Sequence, residues 1–248
     1  MGAITYRLAQ IIFRPGIRLQ FVHFLWIALG WVPGLQAQQY TFNPSREWII
    51  GGTGLIHAGI NLPLARSTQP LTQVPPAPGH FHAYTYRPQA ARISDGLIGV
   101  GAILLPVTLF TALNGSARGQ ALAVCAQSMV MNLNITQTLK HSFRRPRPYF
   151  YDPQTPTALL GHKDARLSFP SGHSSTAFCL ATSLSLALRT YDVNLSIRRN
   201  ITAGAFALAG TTAILRVVAA KHYPGDVLAG AALGTGIALL NNYLHVQR

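Results

Sequence analysis

The chain has 248 residues, 49% of them hydrophobic and only 10% charged, where an average soluble domain is about 25% charged. Long apolar runs with so few charges exclude an ordinary soluble domain and indicate an integral membrane protein. The net charge is +14, but the basic residues lie between apolar runs and no recognition motif accompanies them, so no nucleic-acid partner is expected.

In chain order, residues 1–37 resemble a targeting segment. Arg7, Arg14 and Arg18 precede an apolar run from Phe21 to Leu35, and Leu35-Gln36-Ala37 reads as a cleavage site. The segment is read as a signal peptide, with an uncleaved signal anchor as the alternative. Residues 38–94 are then an N-terminal segment. It holds a weak Gly-rich span from Trp48 to Ala65 and a polar connector from Arg66 to Arg92. The Val74–Gly79 stretch of that connector, with Pro75, Pro76 and Pro78, breaks helix. His80 and His82 stand two apart there and are read as a solvated loop, because no third metal ligand is near them in sequence.

Apolar helices are predicted over Asp95–Leu113, Gln120–Phe143, Ser175–Leu188, Ile201–Ala220 and Val227–Leu244. The second of these carries Asn132, Asn134, Thr136, Gln137 and Thr138, polar residues expected to face the bundle interior. The last is rich in small residues that let helices pack closely in lipid. Cys125 and Cys179 fall in apolar helices, so neither a disulfide nor a Cys-based metal site is expected.

Three blocks at helix ends carry the chemistry. Lys140-His141-Ser142-Phe143-Arg144-Arg145-Pro146-Arg147-Pro148 packs four cations against a helix terminus that prolines prevent from continuing. By itself this is a basic loop flanking a span; the two prolines make it rigid, which suits a polyanion. Phe169-Pro170-Ser171-Gly172-His173 starts a helix, where unpaired N–H groups and the helix dipole attract anions. Its simpler reading is a Ser cap. Arg216 to Asp226 places a guanidinium late in an apolar helix, expensive unless it meets a counter-ion. His222 and Asp226 follow across a Pro224-Gly225 turn, with Asp226 placed as N-cap of the last helix.

Alternation of the spans brings Lys140, Arg147, Ser171, His173, Arg216, His222 and Asp226 to one membrane face. Two histidines, an aspartate, three cations and a helix N-terminus suit phosphoryl transfer through histidine, a reaction carried by positioning and charge stabilisation. No acidic cluster is available for Mg²⁺ or Zn²⁺, so neither a metal nor another cofactor is expected.

The three blocks resemble those of the type 2 phosphatidic acid phosphatase and vanadium haloperoxidase superfamily. That family's pattern is Lys-x6-Arg-Pro, Pro-Ser-Gly-His and Ser-Arg-x5-His-x3-Asp. Lys140, Arg147 and Pro148 meet the first, Pro170 to His173 the second, and Arg216, His222 and Asp226 the third. Leu215 departs from the pattern, standing where the family often has Ser. The resemblance covers residues 95–248. It implies an all-α membrane bundle of about six transmembrane helices with its active site at helix ends. It also implies a metal-independent phosphatase acting on a lipid phosphate or diphosphate: phosphatidate, phosphatidylglycerol phosphate, an isoprenyl diphosphate or a lipid A type. His222 would be the nucleophile, Asp226 would orient it, and His173 would be the acid and base. Lys140, Arg147, Ser171, Gly172 and Arg216 would hold the phosphate. Similar bacterial enzymes work on the periplasmic face of the inner membrane. Counting crossings agrees with that face only if the first segment is retained or Trp48–Ala65 does not cross fully. The rival readings are a vanadate-dependent haloperoxidase, whose known examples are larger and soluble, and a membrane binding or transport protein with an inactive pocket.

Overall fold

Proline, asparagine and serine set where the helices begin. A computed structural model describes residues 39–68 and 84–246 of the chain. The predicted signal segment, the proline-rich breaker, His80 and His82 lie outside the described residues. Seven α-helices are described: α1 (Pro44–Ser67), α2 (Pro88–Ala112), α3 (Gly115–Phe143), α4 (Thr157–Leu160), α5 (Gly172–Thr190), α6 (Leu195–Val218) and α7 (Pro224–His245). Two 3₁₀ turns, Pro148–Tyr151 and Lys163–Arg166, lie in the α3–α5 connector. Pro44, Pro88 and Pro224 each open a helix, where the missing N–H costs nothing and φ is already set. Asn43, Ser171 and Asn194 cap α1, α5 and α6 through side-chain oxygens.

The all-α class and the six long helices agree with the sequence. Boundaries move outward: α2 starts at Pro88 rather than Asp95, so the limit drawn between residues 94 and 95 falls inside a helix. Of about six spans expected, three helices among the described residues are long and apolar enough to cross a membrane: Pro88–Ala112, Leu195–Val218 and Pro224–His245. The others are long enough, at 24, 29 and 19 residues, but their polar side chains lower the hydropathy. In α3 and α5 many of these pair inside the bundle: Ser175 donates to Asn132 Oδ1 and meets Thr136 Oγ1 at 3.2 Å. Asn132 and Thr136 are buried as expected, whereas Gln137 is exposed.

Helix α5 is the centre of the bundle. Ser174, Ser175 and most residues from Ala177 to Leu188 are buried. It packs against α7 through glycines: a Cβ on Gly230 or Gly234 would overlap the Ser171 or Ser175 carbonyl oxygen, so only glycine allows this approach. Leu105, Leu109, Val124, Leu184 and Leu188 close the core between α2, α3 and α5. Ile103, Val107 and Phe110 of α2 and Leu239 and Leu240 of α7 point outward, as a lipid-facing surface requires. Cys125 and Cys179 are buried free thiols.

Helix directions alternate. The N-terminus of α1 meets the C-terminus of α7, where Thr41 N donates to His245 O at 2.8 Å. The end of α1 meets the end of α3, where Arg144 donates to Ser67 Oγ at 2.8 Å. One end of the bundle therefore collects the starts of α2, α5 and α7 and the ends of α1, α3 and α6.

Candidate active site

The α3–α5 connector folds over that end and fixes its basic residues by backbone pairing. Arg147 N donates to Ala165 O at 2.8 Å, Ser168 N to Arg145 O at 2.9 Å, and Tyr149 N to Ala220 O at 2.9 Å. Tyr149, Phe150, Ala165 and Ala220 make a small apolar core beneath it. The prolines at 146 and 148 leave the chain extended between α3 and the turn, so Arg147 enters the interior rather than solvent. It is only 3% exposed.

Arg147 is the hub. Its Nε donates to Asp164 O at 2.7 Å and a terminal nitrogen to Asp164 Oδ1 at 2.6 Å. The other terminal nitrogen donates to Lys221 O at 3.0 Å and to His222 Nε2 at 2.9 Å. A guanidinium only donates, so Nε2 must carry a lone pair. His222 Nδ1 lies 2.7 Å from Ser168 O and therefore carries the proton. The ring is held in the tautomer whose Nε2 is nucleophilic. Its complete burial, then the charges of Arg147, Lys140 and Arg216, hold His222 well below the ordinary histidine value of 6.5, against the opposing pull of the Ser168 carbonyl.

Asp226 corrects one expectation. It is not the N-cap of α7: Tyr223 is, because Pro224 starts the helix earlier. Asp226 sits at the third helical position and reaches back to accept the Tyr223 N–H at 3.0 Å. Its Oδ2 lies 3.8 Å from His222 Nδ1. Its Oδ2 accepts from Ser168 Oγ at 2.5 Å and its Oδ1 from Arg145 at 2.7 Å. Asp226 thus acts on the imidazole through Ser168, whose carbonyl holds the ring.

His173 stands in the first turn of α5. Its Nε2 is 2.7 Å from Asp95 Oδ1, and that oxygen also accepts from Arg216 at 2.7 Å. Arg216 donates to Ser94 Oγ at 3.0 Å as well, while its buried Nε has no partner among the described residues. Lys140 Nζ donates to Leu167 O at 2.7 Å. A Cβ on Gly172 would come within 3.3 Å of Lys140 Cε, so the glycine makes room for the ammonium. Ser171 is fully buried; its hydroxyl accepts from Ser174 N at 3.4 Å, and its N–H donates to Asp226 O at 2.9 Å. The charges of Arg147 and Arg216 bear on both histidines.

All eight residues singled out in the sequence therefore gather at one end of the bundle. Four others were missed: Asp95, Asp164, Ser168 and Arg145. Asp95 had a signal, being one of only six acids in the chain and lying within an apolar helix. Asp164 stands 43% exposed, and the charges of Arg147, Lys140 and Lys221 overcome its burial to hold it below the ordinary carboxylate value of 3.8.

Comparison with known proteins places this arrangement. The model of the PAP2 superfamily matches residues 120–248, which is more than half of the chain and includes all three motif blocks. The chain belongs to the PAP2 superfamily. Among PAP2 relatives, a lipid A 1-phosphatase of Rhizobium etli is 32% identical over 116 residues, 46% of this chain and 45% of that protein. A lipid A 1-phosphatase of Porphyromonas gingivalis is 29% identical over 126 residues, 51% of this chain and 24% of that protein. The chain spans less than half the length of the curated relatives it matches. Among solved structures, Aquifex aeolicus LpxE superposes with a TM-score of 0.46 at 23% identity, over 63% of this chain and 87% of that one. A PAP2 type phosphatidylglycerolphosphate phosphatase from Bacillus subtilis superposes with a TM-score of 0.45 at 20% identity, over 79% and 93%.

Proposed function

We propose that this PAP2 protein is a membrane phosphatase that removes phosphate from a lipid phosphate or diphosphate through a phosphohistidine on His222. The observation that carries this reading is the His222 ring: its Nδ1 faces the Ser168 carbonyl, and its Nε2 lone pair faces the Arg147 guanidinium. Substrate phosphate would take the place of that contact. Arg147, Arg216 and Lys140, with the amides at the start of α5, would hold its oxygens.

In the first step His222 Nε2 attacks phosphorus and the bond to the lipid oxygen breaks. His173, protonated at Nε2, gives that proton to the leaving oxygen, and the lipid alcohol departs. In the second step a water attacks the phosphohistidine, His173 takes its proton, the N–P bond breaks and inorganic phosphate leaves. Asp95 holds the His173 nitrogen that transfers the proton and must yield it as the leaving oxygen arrives.

In this reading the site faces the periplasm of a bacterial inner membrane, with the first segment retained or Trp48–Ala65 not crossing fully. Arg118, Arg189, Arg198 and Arg199, at the opposite end, would then be cytoplasmic, in line with the positive-inside tendency. The test is a panel of phosphatidate, phosphatidylglycerol phosphate, an isoprenyl diphosphate and a lipid A phosphate offered to purified protein in detergent. Phosphate release is expected on at least one of them and is expected to persist in excess EDTA, with vanadate inhibiting. Loss in EDTA restored by Mg²⁺ counts against the cation-only mechanism. Bromide oxidation by peroxide on adding vanadate, with no phosphate release, would favour the haloperoxidase reading.

A further inference from the structure

The carboxylates at the site end differ in how firmly they are held. Asp226 is fully buried and accepts from Ser168 Oγ, Arg145 and the Tyr223 amide, so its departure would strip three donors of their acceptor. Asp164 grips Arg147 twice, through its main-chain oxygen and through Oδ1. Asp95 is the loosest. Its side chain is 57% exposed. Among the described residues a single oxygen, Oδ1, makes both of its contacts, to His173 Nε2 and to a terminal nitrogen of Arg216, each at 2.7 Å.

Both donors belong to the phosphate chemistry of the mechanism above: His173 Nε2 gives its proton to the leaving oxygen, and Arg216 holds the phosphate. An oxygen that bridges an imidazole N–H and a guanidinium N–H is in the geometry a phosphate oxygen takes. Arg216 does not depend on Asp95 for its place. The same terminal nitrogen donates to Ser94 Oγ at 3.0 Å. Ser94 is fully buried, and its hydroxyl is anchored to Ala91 O at 2.7 Å. The Asp95 carboxylate can therefore swing toward water and leave the guanidinium where it is.

We propose that Asp95 is a resident anion: in the empty site its carboxylate stands where an oxygen of the phosphate group binds, and an incoming phosphate must displace it. The proposal rests on the phosphatase reading and adds a specificity role to it. Every phosphate that enters meets the same cost. A lipid has remote contacts with the protein to offset that cost, and free inorganic phosphate has none. Asp95 thus weakens the hold on free phosphate, the product included, while the lipid still binds.

The test uses the purified full chain in detergent. Inorganic phosphate is titrated calorimetrically, and also as an inhibitor of phosphatidate hydrolysis. Asp95→Asn keeps an oxygen in place without the charge; Asp95→Ala removes it, and alanine suits the helix. Asp95 is half-exposed, so both variants should fold, which a melting temperature near wild type checks. Asp152→Asn is the control, because that carboxylate accepts the Tyr86 and Gln154 amides and serves the connector. Asp95→Ala is expected to bind phosphate about tenfold tighter. That is the low end for a hydrogen bond to a charged group that no longer has to be broken, as suits a half-exposed pair. The inhibition constant of phosphate should fall alike, with Asp95→Asn in between and Asp152→Asn within about twofold of wild type. Phosphate affinity unchanged or weakened in both Asp95 variants overturns the proposal and makes Asp95 a tether for His173 and Arg216. An equal gain in Asp152→Asn overturns it as well, as a general effect of negative charge. Either result, with wild type hydrolysing phosphatidate, sinks this proposal alone. Wild-type protein that binds no free phosphate and releases none from any lipid phosphate sinks the phosphatase reading and the resident anion with it.

Discussion

Helix α7 has a buried histidine at each end, and the two are built for different purposes. His222, just before its start, has an acceptor on Nδ1 and a guanidinium donor on Nε2. His245, its last residue, has oxygens on both sides: Asn241 O lies 2.8 Å from Nδ1 and Glu47 Oε2 lies 3.3 Å from Nε2. Around His222 stand Arg147, Lys140 and Arg216, with the nearest carboxylate 3.8 Å away and committed to other donors. Around His245 the charge centre is a carboxylate: Glu47 accepts from Arg46 at 2.7 Å and from Gln127 at 2.6 Å. At one end cations surround the imidazole; at the other a carboxylate stands against it. Burial and a nearby acid do not make a histidine a nucleophile. In the proposed mechanism it is a neutral ring among cations that can meet a phosphate.

The largest expected effect separates the two histidines. His222→Ala should abolish turnover and leave no phosphoenzyme, while His245→Ala should retain activity in whatever fraction folds. His173→Ala should slow both steps, yet still form some phosphoenzyme from a substrate with a good leaving group, because such a substrate needs less acid help. Trapping with labelled substrate must be done at alkaline pH, since acid breaks the N–P bond. Label retained by His222→Ala and absent from His173→Ala would reverse the assigned roles.

Next comes the cation that faces the proposed nucleophile. Arg147 makes four hydrogen bonds with three residues through its fork, and an ammonium cannot reproduce them. Arg147→Lys should cost about 2–4 kcal/mol in kcat/KM, the scale of losing one oxyanion donor. Kinetics near wild type would mean that Arg147 only tethers the Asp164 turn.

How much of this was legible in the sequence follows from where each partner comes from. Lys140, Arg147, His173, Arg216 and His222 lie in short blocks at helix ends, so spacing and helix alternation could bring them together. Asp95 meets Arg216 from 121 residues away and Ser168 meets Asp226 from 58, and no local pattern marks such pairs. The route from Asp226 to His222 through Ser168 is hidden for the same reason. The Pro224 start of α7 turns the carboxylate toward the Tyr223 amide and Ser168. Helix ends were placed late where they begin with proline and polar residues, as α2 does, because hydropathy sees the apolar middle and not the cap.

A smaller effect concerns pH. His222 is held neutral in the folded state, its value depressed below 6.5 by burial and cations. The acid limb of kcat/KM due to His222 should therefore lie below pH 6.5. Removing one of those cations, in Arg147→Met, should move that limb upward in whatever activity remains. Stability follows the same sign. The contribution of neutral His222 is fully present above its unfolded value near 6.5 and is lost as pH falls toward the depressed folded value. Melting temperature measured from pH 8 downward should decline below about pH 6.5, and His222→Gln should flatten that decline. A wild-type acid limb above pH 7 would contradict the environment described for the ring.

The smallest effect on activity is expected at the far end, and it tests the comparison itself. Glu47 joins three elements: its own helix through Arg46, α3 through Gln127 and α7 through His245. Arg46 extends the clasp to the Leu244 and Thr41 carbonyls. Glu47→Gln keeps the shape and removes the charge, leaving Arg46 without its carboxylate. The cost should be about 1–3 kcal/mol of stability, the range for a hydrogen bond to a charged group, seen as a lower melting temperature in detergent. Because Glu47 bonds at the end of α7 opposite His222, kcat/KM of the folded protein should stay within about twofold of wild type. Gln127→Leu should behave alike and the double variant should lose less than the sum, since both act on one network. If Glu47→Gln instead lowered kcat/KM as far as Arg147→Lys while leaving the melting temperature unchanged, the far cluster would be coupled to the chemistry and the division of labour between the two ends of α7 would fall.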